Sequence, residues 1–220
     1  MYVTTNIIQR VFQISHNGKL GTAYTIEKED RQYLVSASHV FDGSTEVDSI
    51  LIYRDGNWVN LPVTVAFHSD SLSADTIVFL LQEDISPRHP ISLNPAGLII
   101  GTWAYFLGYP RGMRTSDRGI NRGYPLPFVK AALVSATDFE RHGFNTLFLD
   151  GHNNKGFSGG PVIWAPPNNP KDIRVVGTIS GYVIEHPTSK ATKEEISQHE
   201  TNAGIIEAYW VRGLLDQLTP

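Results

Sequence analysis

The stretch Lys155-Gly-Phe-Ser-Gly-Gly-Pro-Val162 places a single serine among three glycines. Glycine permits backbone conformations that a Cβ excludes and lets another chain approach closely. A loop needs both properties if it presents a hydroxyl nucleophile and bare N–H donors to a carbonyl group. Pro161 prevents a helix from continuing out of the loop. Taken alone, the stretch is equally typical of a glycine-rich turn between two strands, so its meaning depends on residues elsewhere in the chain.

Composition excludes several classes of site and partner. The chain has 220 residues, of which 41% are hydrophobic and 18% charged, as in a globular protein with a core of its own. The formal net charge of −4 argues against nucleic acid as the main partner. There is no cysteine, which excludes a disulfide, a thiolate zinc site and a cysteine nucleophile.

The sequence predicts a cytoplasmic protein with no membrane association. A secretory signal would begin with basic residues followed by an apolar run, and residues 1–10 lack this pattern. No apolar stretch has membrane-spanning length. The absence of cysteine is typical of a reducing compartment. The same sequence is also compatible with a domain of a longer protein.

Short runs rich in β-branched and aromatic residues, separated by glycine, proline, asparagine and aspartate, predict an all-β protein. Residues 1–83 and 97–204 each contain several such runs, and the proline-rich residues 84–96 between them predict a linker. We therefore expect two antiparallel β-barrels or sandwiches of similar size. In residues 205–220, apolar residues recur at helical spacing, which predicts a closing amphipathic helix.

Two residues before the serine could complete a catalytic site. His39 ends an apolar run, and Asp75 stands where another begins. Alone, each is more typical of a structural residue. Together with Ser158 they supply what a serine hydrolase needs, because the serine requires an imidazole to accept its proton and the imidazole requires a carboxylate to orient it. Asp70 is the alternative carboxylate if Asp75 points away.

In the segments around His39, Asp75 and Ser158, and in several others, the chain resembles the trypsin-like serine peptidases of the chymotrypsin fold. It resembles more closely the cysteine-free bacterial HtrA-type proteases. Any one of the matching segments is weak evidence, whereas eight in the family's order form a specific pattern. The matching segments are Gly21-Thr-Ala23, Ser36-Ala-Ser-His39, Ala74-Asp-Thr-Ile77, Leu107-Gly-Tyr-Pro110, Leu133-Val-Ser-Ala136, Gly156-Phe-Ser-Gly-Gly-Pro161, Gly177-Thr-Ile-Ser-Gly181 and Asn202-Ala-Gly-Ile205.

This resemblance implies two six-stranded β-barrels with an active site in the cleft between them. His39 and Asp75 would come from the first barrel and Ser158 from the second. The resemblance implies a serine endopeptidase that forms an acyl-enzyme intermediate, without a cofactor. It also implies that the N–H groups of Gly156 and Ser158 form an oxyanion hole.

For the substrate, the resemblance implies that Ser180 and Gly181 offer a strand edge. Tyr182 would narrow the primary pocket, and His152 would lie near its base. Since His152 is not an acid, the pocket has no evident counter-charge for a lysine or arginine side chain. Phe157 stands where many zymogen-type relatives have an aspartate, so we expect no activation by cleavage near the N-terminus.

Two other functions compete with this one. Gly156-Phe-Ser-Gly-Gly160 also fits the nucleophile elbow of α/β-hydrolases, but Gly159-Gly-Pro161 is a poor helix start and the strands do not alternate with helices. The second is a catalytically idle peptidase fold that acts as a peptide-binding or adaptor module.

Partner and metal sites can also be assessed from the sequence. The segments Arg111–Arg122 and Glu185–Asn202 are rich in charged residues and are candidate docking sites for an activating protein, although most charged loops are merely solvated. The histidines outside the candidate triad show no pair at metal-ligand spacing, so no metal site is expected.

Overall fold

The computed structural model describes residues 2–69, 74–116, 119–138, 145–185, 201–210 and 218. Within them the chain is almost entirely β-structure, as predicted, with one short helix, α1 (Thr5–Ile8). The strands of the first half are β1 (Val11–His16), β2 (Lys19–Lys28), β3 (Arg31–Ala37), β4 (Ser49–Arg54), β5 (Asn57–Ser69) and β6 (Thr76–Leu81). Those of the second half are β7 (Trp103–Gly108), β8 (Phe128–Asp138), β9 (Thr146–Asp150), β10 (Pro161–Trp164), β11 (Arg174–Glu185) and β12 (Thr201–Tyr209).

Each half closes into an antiparallel barrel of six strands. The first has the order β1-β2-β3-β6-β5-β4, and the second has the order β10-β11-β12-β9-β8-β7. Closure pairs both edges of every strand, and inward-facing side chains fill the interior of each barrel. Here these side chains are largely apolar. Phe12, Phe41 and Phe79 are completely buried in the first barrel, as are Phe106 and Trp164 in the second.

Residues 82–102 run between β6 and β7 and include the predicted linker, 84–96. They form no helix or strand, apart from an isolated bridge between Ser92 and Arg174. This bridge attaches the connection to β11 of the second barrel.

The predicted start of the C-terminal helix at residue 205 is wrong, because Ile205–Tyr209 belong to β12. This strand is paired on both sides, with Ile206 opposite Leu149 of β9 and Tyr182 of β11. Ile206 and Ala208 are buried while Ile205 is exposed, which is the alternation of a strand. Apolar residues at 205, 206 and 209 fit a helical spacing equally well, so the pattern alone was ambiguous. The remainder of the predicted helix, apart from Trp210 and Leu218, lies outside the described residues.

The two barrels are joined by an apolar layer of their own. Its members from the first half are Ile7, Val11, Tyr24, Ile26, Tyr33, Val35 and Val78, and those from the second half are Leu107, Tyr109, Ile163, Val175 and Leu218. Two tyrosine hydroxyls satisfy their hydrogen bonds across this layer. Tyr24 Oη lies 2.7 Å from Thr178 Oγ1, and Tyr109 Oη lies 3.0 Å from the carbonyl oxygen of Val11 and 2.8 Å from that of Pro125. Such bonds fix the relative position of the barrels, because an unpaired buried hydroxyl is costly.

Thr22 of β2 makes the most extensive polar contact across the boundary. Its N–H donates to the carbonyl of Ser158 at 2.9 Å, and its hydroxyl donates to the carbonyl of Gly156 at 2.7 Å. The same hydroxyl accepts from the N–H of Tyr109 at 3.2 Å, and the Thr22 carbonyl accepts from Ser36 Oγ at 2.8 Å. A completely buried residue of the first barrel thereby positions the serine loop of the second.

Replacing Thr22 by valine should lower the stability of the whole chain. The change keeps the shape of the side chain but leaves the buried Gly156 carbonyl and Tyr109 N–H without the hydroxyl, which costs about 1–3 kcal/mol. Urea unfolding measures the free energy of unfolding. Thr64→Val makes the same change at an exposed position of β5 and should alter it by less than about 0.5 kcal/mol. Equal effects of the two substitutions would contradict the role of Thr22.

Candidate active site

His39 is held by two hydrogen bonds to one carboxylate. It lies in the short 3₁₀ helix Ser38–Phe41, which follows β3. Its backbone N–H donates to Asp75 Oδ1 at 2.9 Å, and its Nδ1 lies 2.7 Å from Asp75 Oδ2. Because a carboxylate can only accept, the Nδ1 atom carries the hydrogen, and in the neutral imidazole Nε2 keeps a free lone pair. The His39 side chain is 44% exposed, so this lone pair is accessible.

Asp75 is the buried anchor of this pair. It is 3% exposed and stands directly before β6 with a left-handed backbone, φ 42°. Besides the two bonds from His39, its Oδ2 accepts from Ser180 Oγ at 2.5 Å. A carboxylate with three donors is stable inside a protein, because the hydrogen bonds replace those lost to water. The alternative carboxylate, Asp70, lies outside the described residues.

Ser158 lines the same cleft as His39 and Asp75. The cleft has a volume of about 1000 Å³ and lies where the two barrels meet. Within the described parts of the chain, no hydrogen bond joins Ser158 Oγ to His39. In free enzymes such catalytic bonds are often long and shorten when substrate binds. The tertiary structure thus brings the three predicted residues to one cavity from three separate segments.

Backbone conformation and lack of space together require glycine at two positions of the serine loop. Gly156 has φ 102°, and a Cβ there would lie 2.3 Å from the carbonyl oxygen of Tyr109. Gly159 has φ 84°, and its Cβ would lie 2.1 Å from the Thr22 carbonyl oxygen. Both positions exclude other residues through backbone conformation and through space.

The backbone N–H groups of this loop divide into used and unused donors. Those of Phe157, Gly159 and Gly160 donate to the carbonyls of Asn154, Ile179 and Phe157, respectively. Those of Gly156 and Ser158 have no acceptor among the described residues. Two unused N–H donors beside a serine hydroxyl are what a carbonyl oxygen needs as it gains negative charge. They are the two donors that the sequence analysis assigned to an oxyanion hole.

The predicted substrate residues Ser180, Gly181 and Tyr182 lie in β11 and line the cleft. The pairing of β11 with β10 ends at Thr178, and the pairing with β12 is irregular between Ile179 and Gly181. The part of β11 that lines the cleft, Ser180–Tyr182, therefore lies beyond the last residue pair between β11 and β10.

His152 is placed differently from the other predicted site residues. It is exposed and is not among the described residues that line the cleft. Its carbonyl and the Asn154 side chain accept hydrogen bonds from Lys130 Nζ, at 2.8 and 2.6 Å. Partial burial lowers the pKa of Lys130. Lys130 thus ties β8 to the residues that lead into the serine loop, a role that sequence reasoning missed because the two segments are far apart in the chain.

Three cations of the cleft were also missed as site residues. Lys19 and Arg111 come from the first hairpin and from the segment after β7, and Lys155 directly precedes Gly156. Only Lys155 could have been found from its place in the glycine-rich motif.

No three residues among histidine, aspartate and glutamate come together in the described part of the chain in a way that could hold a metal ion. None of the described helices is long and apolar enough to cross a membrane.

Solved structures of proteases share this fold. The HtrA-type protease AlgW, bound to a tripeptide, has a TM-score of 0.62 and 19% identity. That match covers 96% of this chain and 60% of the AlgW chain, so the present chain corresponds to less than two thirds of AlgW. The active form of the Rv3671c protease from M. tuberculosis has a TM-score of 0.61 and 16% identity, over 96% of this chain and 80% of the other. An inactive form of Rv3671c, a Ser343Ala mutant, has a TM-score of 0.59 and 17% identity, over 96% and 86% of the two chains.

Sequence comparison gives the family. No curated protein matches the chain significantly. The trypsin-like peptidase domain matches residues 21–177, which is more than half of the chain and includes His39, Asp75 and Ser158. The chain therefore belongs to the trypsin-like peptidase domain family.

Proposed function

We propose that the protein is a serine endopeptidase in which Ser158, His39 and Asp75 form the catalytic triad. The observation that carries the proposal is the pairing of His39 with a buried carboxylate in the cleft that Ser158 lines. A buried aspartate with two bonds to one histidine orients the imidazole, which a purely structural histidine does not require. The HtrA-style resemblance and the family membership support the same activity.

The chemistry follows from the position of each group. Ser158 Oγ attacks the peptide carbonyl while His39 Nε2 accepts the hydroxyl proton, and Asp75 stabilises the imidazolium that results. The N–H groups of Gly156 and Ser158 donate to the oxyanion of the tetrahedral intermediate. The imidazolium then gives its proton to the leaving amine, which produces the acyl-enzyme. A water molecule, deprotonated by His39, then attacks the acyl ester. The tetrahedral intermediate collapses, the acid leaves, and the His39 imidazolium returns the proton to Ser158 Oγ.

Substrate recognition is proposed to use β11. Since the β10–β11 ladder ends at Thr178, the backbone of Ser180–Tyr182 is placed to pair with an extended peptide. Main-chain hydrogen bonds of this kind bind peptides with little regard to sequence. The observed contacts of His152 lie outside the cleft lining, so its part in specificity stays a prediction.

Activation by a partner is part of the proposal because the charged segment Arg111–Arg122 contacts both the first barrel and the residues that precede Ser158. The segment Arg111–Arg122 is attached to the first barrel, with the Arg114 guanidinium 3.6 Å above the Tyr53 ring and Gln9 Nε2 donating to Ile120. It also contacts the serine loop, since the Arg111 N–H donates to the Lys155 carbonyl. Most of the other candidate segment, Glu185–Asn202, lies outside the described residues. An idle adaptor is the alternative, and it would keep the same cleft for peptide binding alone.

A fluorophosphonate probe should label the purified protein at Ser158, because it reacts with a serine whose proton a neighbouring imidazole accepts. Mass spectrometry locates the adduct. Labelling should disappear in both Ser158→Ala and His39→Ala. Ser135→Ala, which alters an exposed serine outside the cleft and outside Arg111–Arg122, should label as the unaltered protein does. Folded protein that is not labelled at Ser158, with or without candidate activators, would favour the idle adaptor.

Asp75→Asn should lower kcat by about 10⁴-fold while the fold remains, because the amide cannot hold the reactive tautomer or stabilise the imidazolium. The measurement is peptide or ester hydrolysis, with circular dichroism to show that both barrels are formed. Asp84→Asn removes a carboxylate that pairs with Arg88 on the surface and should leave kcat unchanged. A loss of less than about tenfold in Asp75→Asn would exclude Asp75 from the triad.

A further inference from the structure

We propose that the cleft selects peptides with an aspartate or glutamate within two residues of the scissile bond, recognised by Arg111 and Lys155. The inference rests on the proposed endopeptidase function and specifies its substrate. It comes from the charge of the cleft lining, which differs from the charge of the chain as a whole.

The cleft is cationic although the protein is acidic. Among its described lining residues, Lys19, Arg111 and Lys155 carry positive charges. The carboxylate in that lining is Asp75, which is buried and already accepts three hydrogen bonds. The net charge of the whole chain is −4. Positive charge is therefore concentrated at the one surface where a substrate would bind.

Two of the three cations are available to a ligand. Lys19 forms an ion pair with Asp42, which offsets its charge. Arg111 and Lys155 are both exposed, and neither has a carboxylate within ion-pair distance in the described part of the chain. A carboxylate brought into the cleft would find these two cations without displacing an existing partner.

The backbone holds both cations beside the predicted oxyanion hole. The N–H of Arg111 donates to the carbonyl of Lys155 at 2.7 Å, and Gly156, with its unused N–H, is the next residue. The left-handed backbone of Arg111, φ 51°, belongs to the tight turn that makes this contact. An extended substrate advances by about 3.3 Å per residue. Since the scissile carbonyl would lie at the Gly156 N–H, side chains within about two residues of it are within reach of Lys155 and Arg111.

The turn that carries Arg111 is fixed on its other side by the first barrel. Gln13 Nε2 donates to the Gly112 carbonyl at 3.1 Å, and a Cβ at Gly112 would lie 2.7 Å from Leu20 Cδ1. Leu20 and Gly112 line the cleft as well. Arg111 thus lies on a side of the cleft to which both barrels contribute residues. The β11 edge at Ser180–Tyr182, in contrast, belongs to the second barrel.

The test uses internally quenched peptides in which aspartate or glutamate, the matching amide, or lysine occupies each of two positions on either side of the cleaved bond. The unaltered protein should have a kcat/KM about 5- to 25-fold higher for the acidic peptide than for the amide at the preferred position, since an exposed pair is worth up to about fivefold. The lysine peptide should be the poorest. The preference should shrink at 1 M salt, where charges are screened within about 3 Å.

Variants assign the preference to the two cations. Lys155→Gln and Arg111→Gln should each lower the acid-to-amide ratio by about twofold to fivefold, and the double variant should abolish it. Replacing both residues by glutamate, Lys155→Glu with Arg111→Glu, should reverse the order of the acidic and lysine peptides. Lys171→Gln and Arg31→Gln make the same changes at exposed positions outside the cleft and should leave the ratio unchanged.

The outcomes separate this inference from the proposed function. Labelling of Ser158 and hydrolysis of the amide peptide without a preference for the acid would overturn the inference and leave the endopeptidase intact, as would a ratio that survives in the double variant. Peptide binding to Ser158→Ala, followed by fluorescence anisotropy, gives a reading without turnover. Tighter binding of the acidic peptide, lost in the double variant, supports the inference even if Ser158 is never labelled, and equal binding of acid and amide overturns it.

Discussion

The hydrogen bonds of Thr22 are the constraint on which the candidate site depends. Ser158 belongs to one barrel and His39 and Asp75 to the other, so the proposed triad requires the barrels to hold one relative position. Thr22 provides this because all its polar atoms are bonded, to Ser158, Gly156 and Tyr109 in the second half and to Ser36 in the first. In a buried setting each of these bonds would be costly to leave unmade. A shift of the second barrel would break several of them at once.

Glycine makes this attachment possible. Gly159 lies so close to the Thr22 carbonyl that no side chain fits, and Gly156 lies equally close to the Tyr109 carbonyl. The serine loop is thus pressed against β2 on one side and the segment after β7 on the other. The arrangement turns the Gly156 carbonyl towards the Thr22 hydroxyl, while the N–H groups of Gly156 and Ser158 are left without acceptors among the described residues. The attachment of the loop and its unused N–H donors therefore have one structural origin.

The fold and the triad candidates were predictable because they leave local signals. Short β-branched runs predicted the strands, and the motifs around His39, Asp75 and Ser158 are contiguous. The C-terminal prediction was wrong for Ile205–Tyr209 because apolar residues at 205, 206 and 209 fit either period, and only pairing with β9 and β11 selects the strand. The contacts of Lys130 and Arg111 with the residues before Gly156 were not predicted, for a different reason. Each acts on the serine loop from a distant segment, and nothing in its own neighbourhood indicates the contact.

The sequence by itself determined the chemical groups and the all-β class, since these depend on residue type and on short-range spacing. The tertiary structure alone decided which groups meet. Packing between the barrels brings Ser180 to the carboxylate of Asp75, and the fold of the second half places Lys155 beside Arg111 and leaves His152 outside the cleft lining. Those contacts join residues far apart in the chain, and their geometry depends on strand register and on the packing between barrels. Neither quantity is encoded in any single stretch of the sequence.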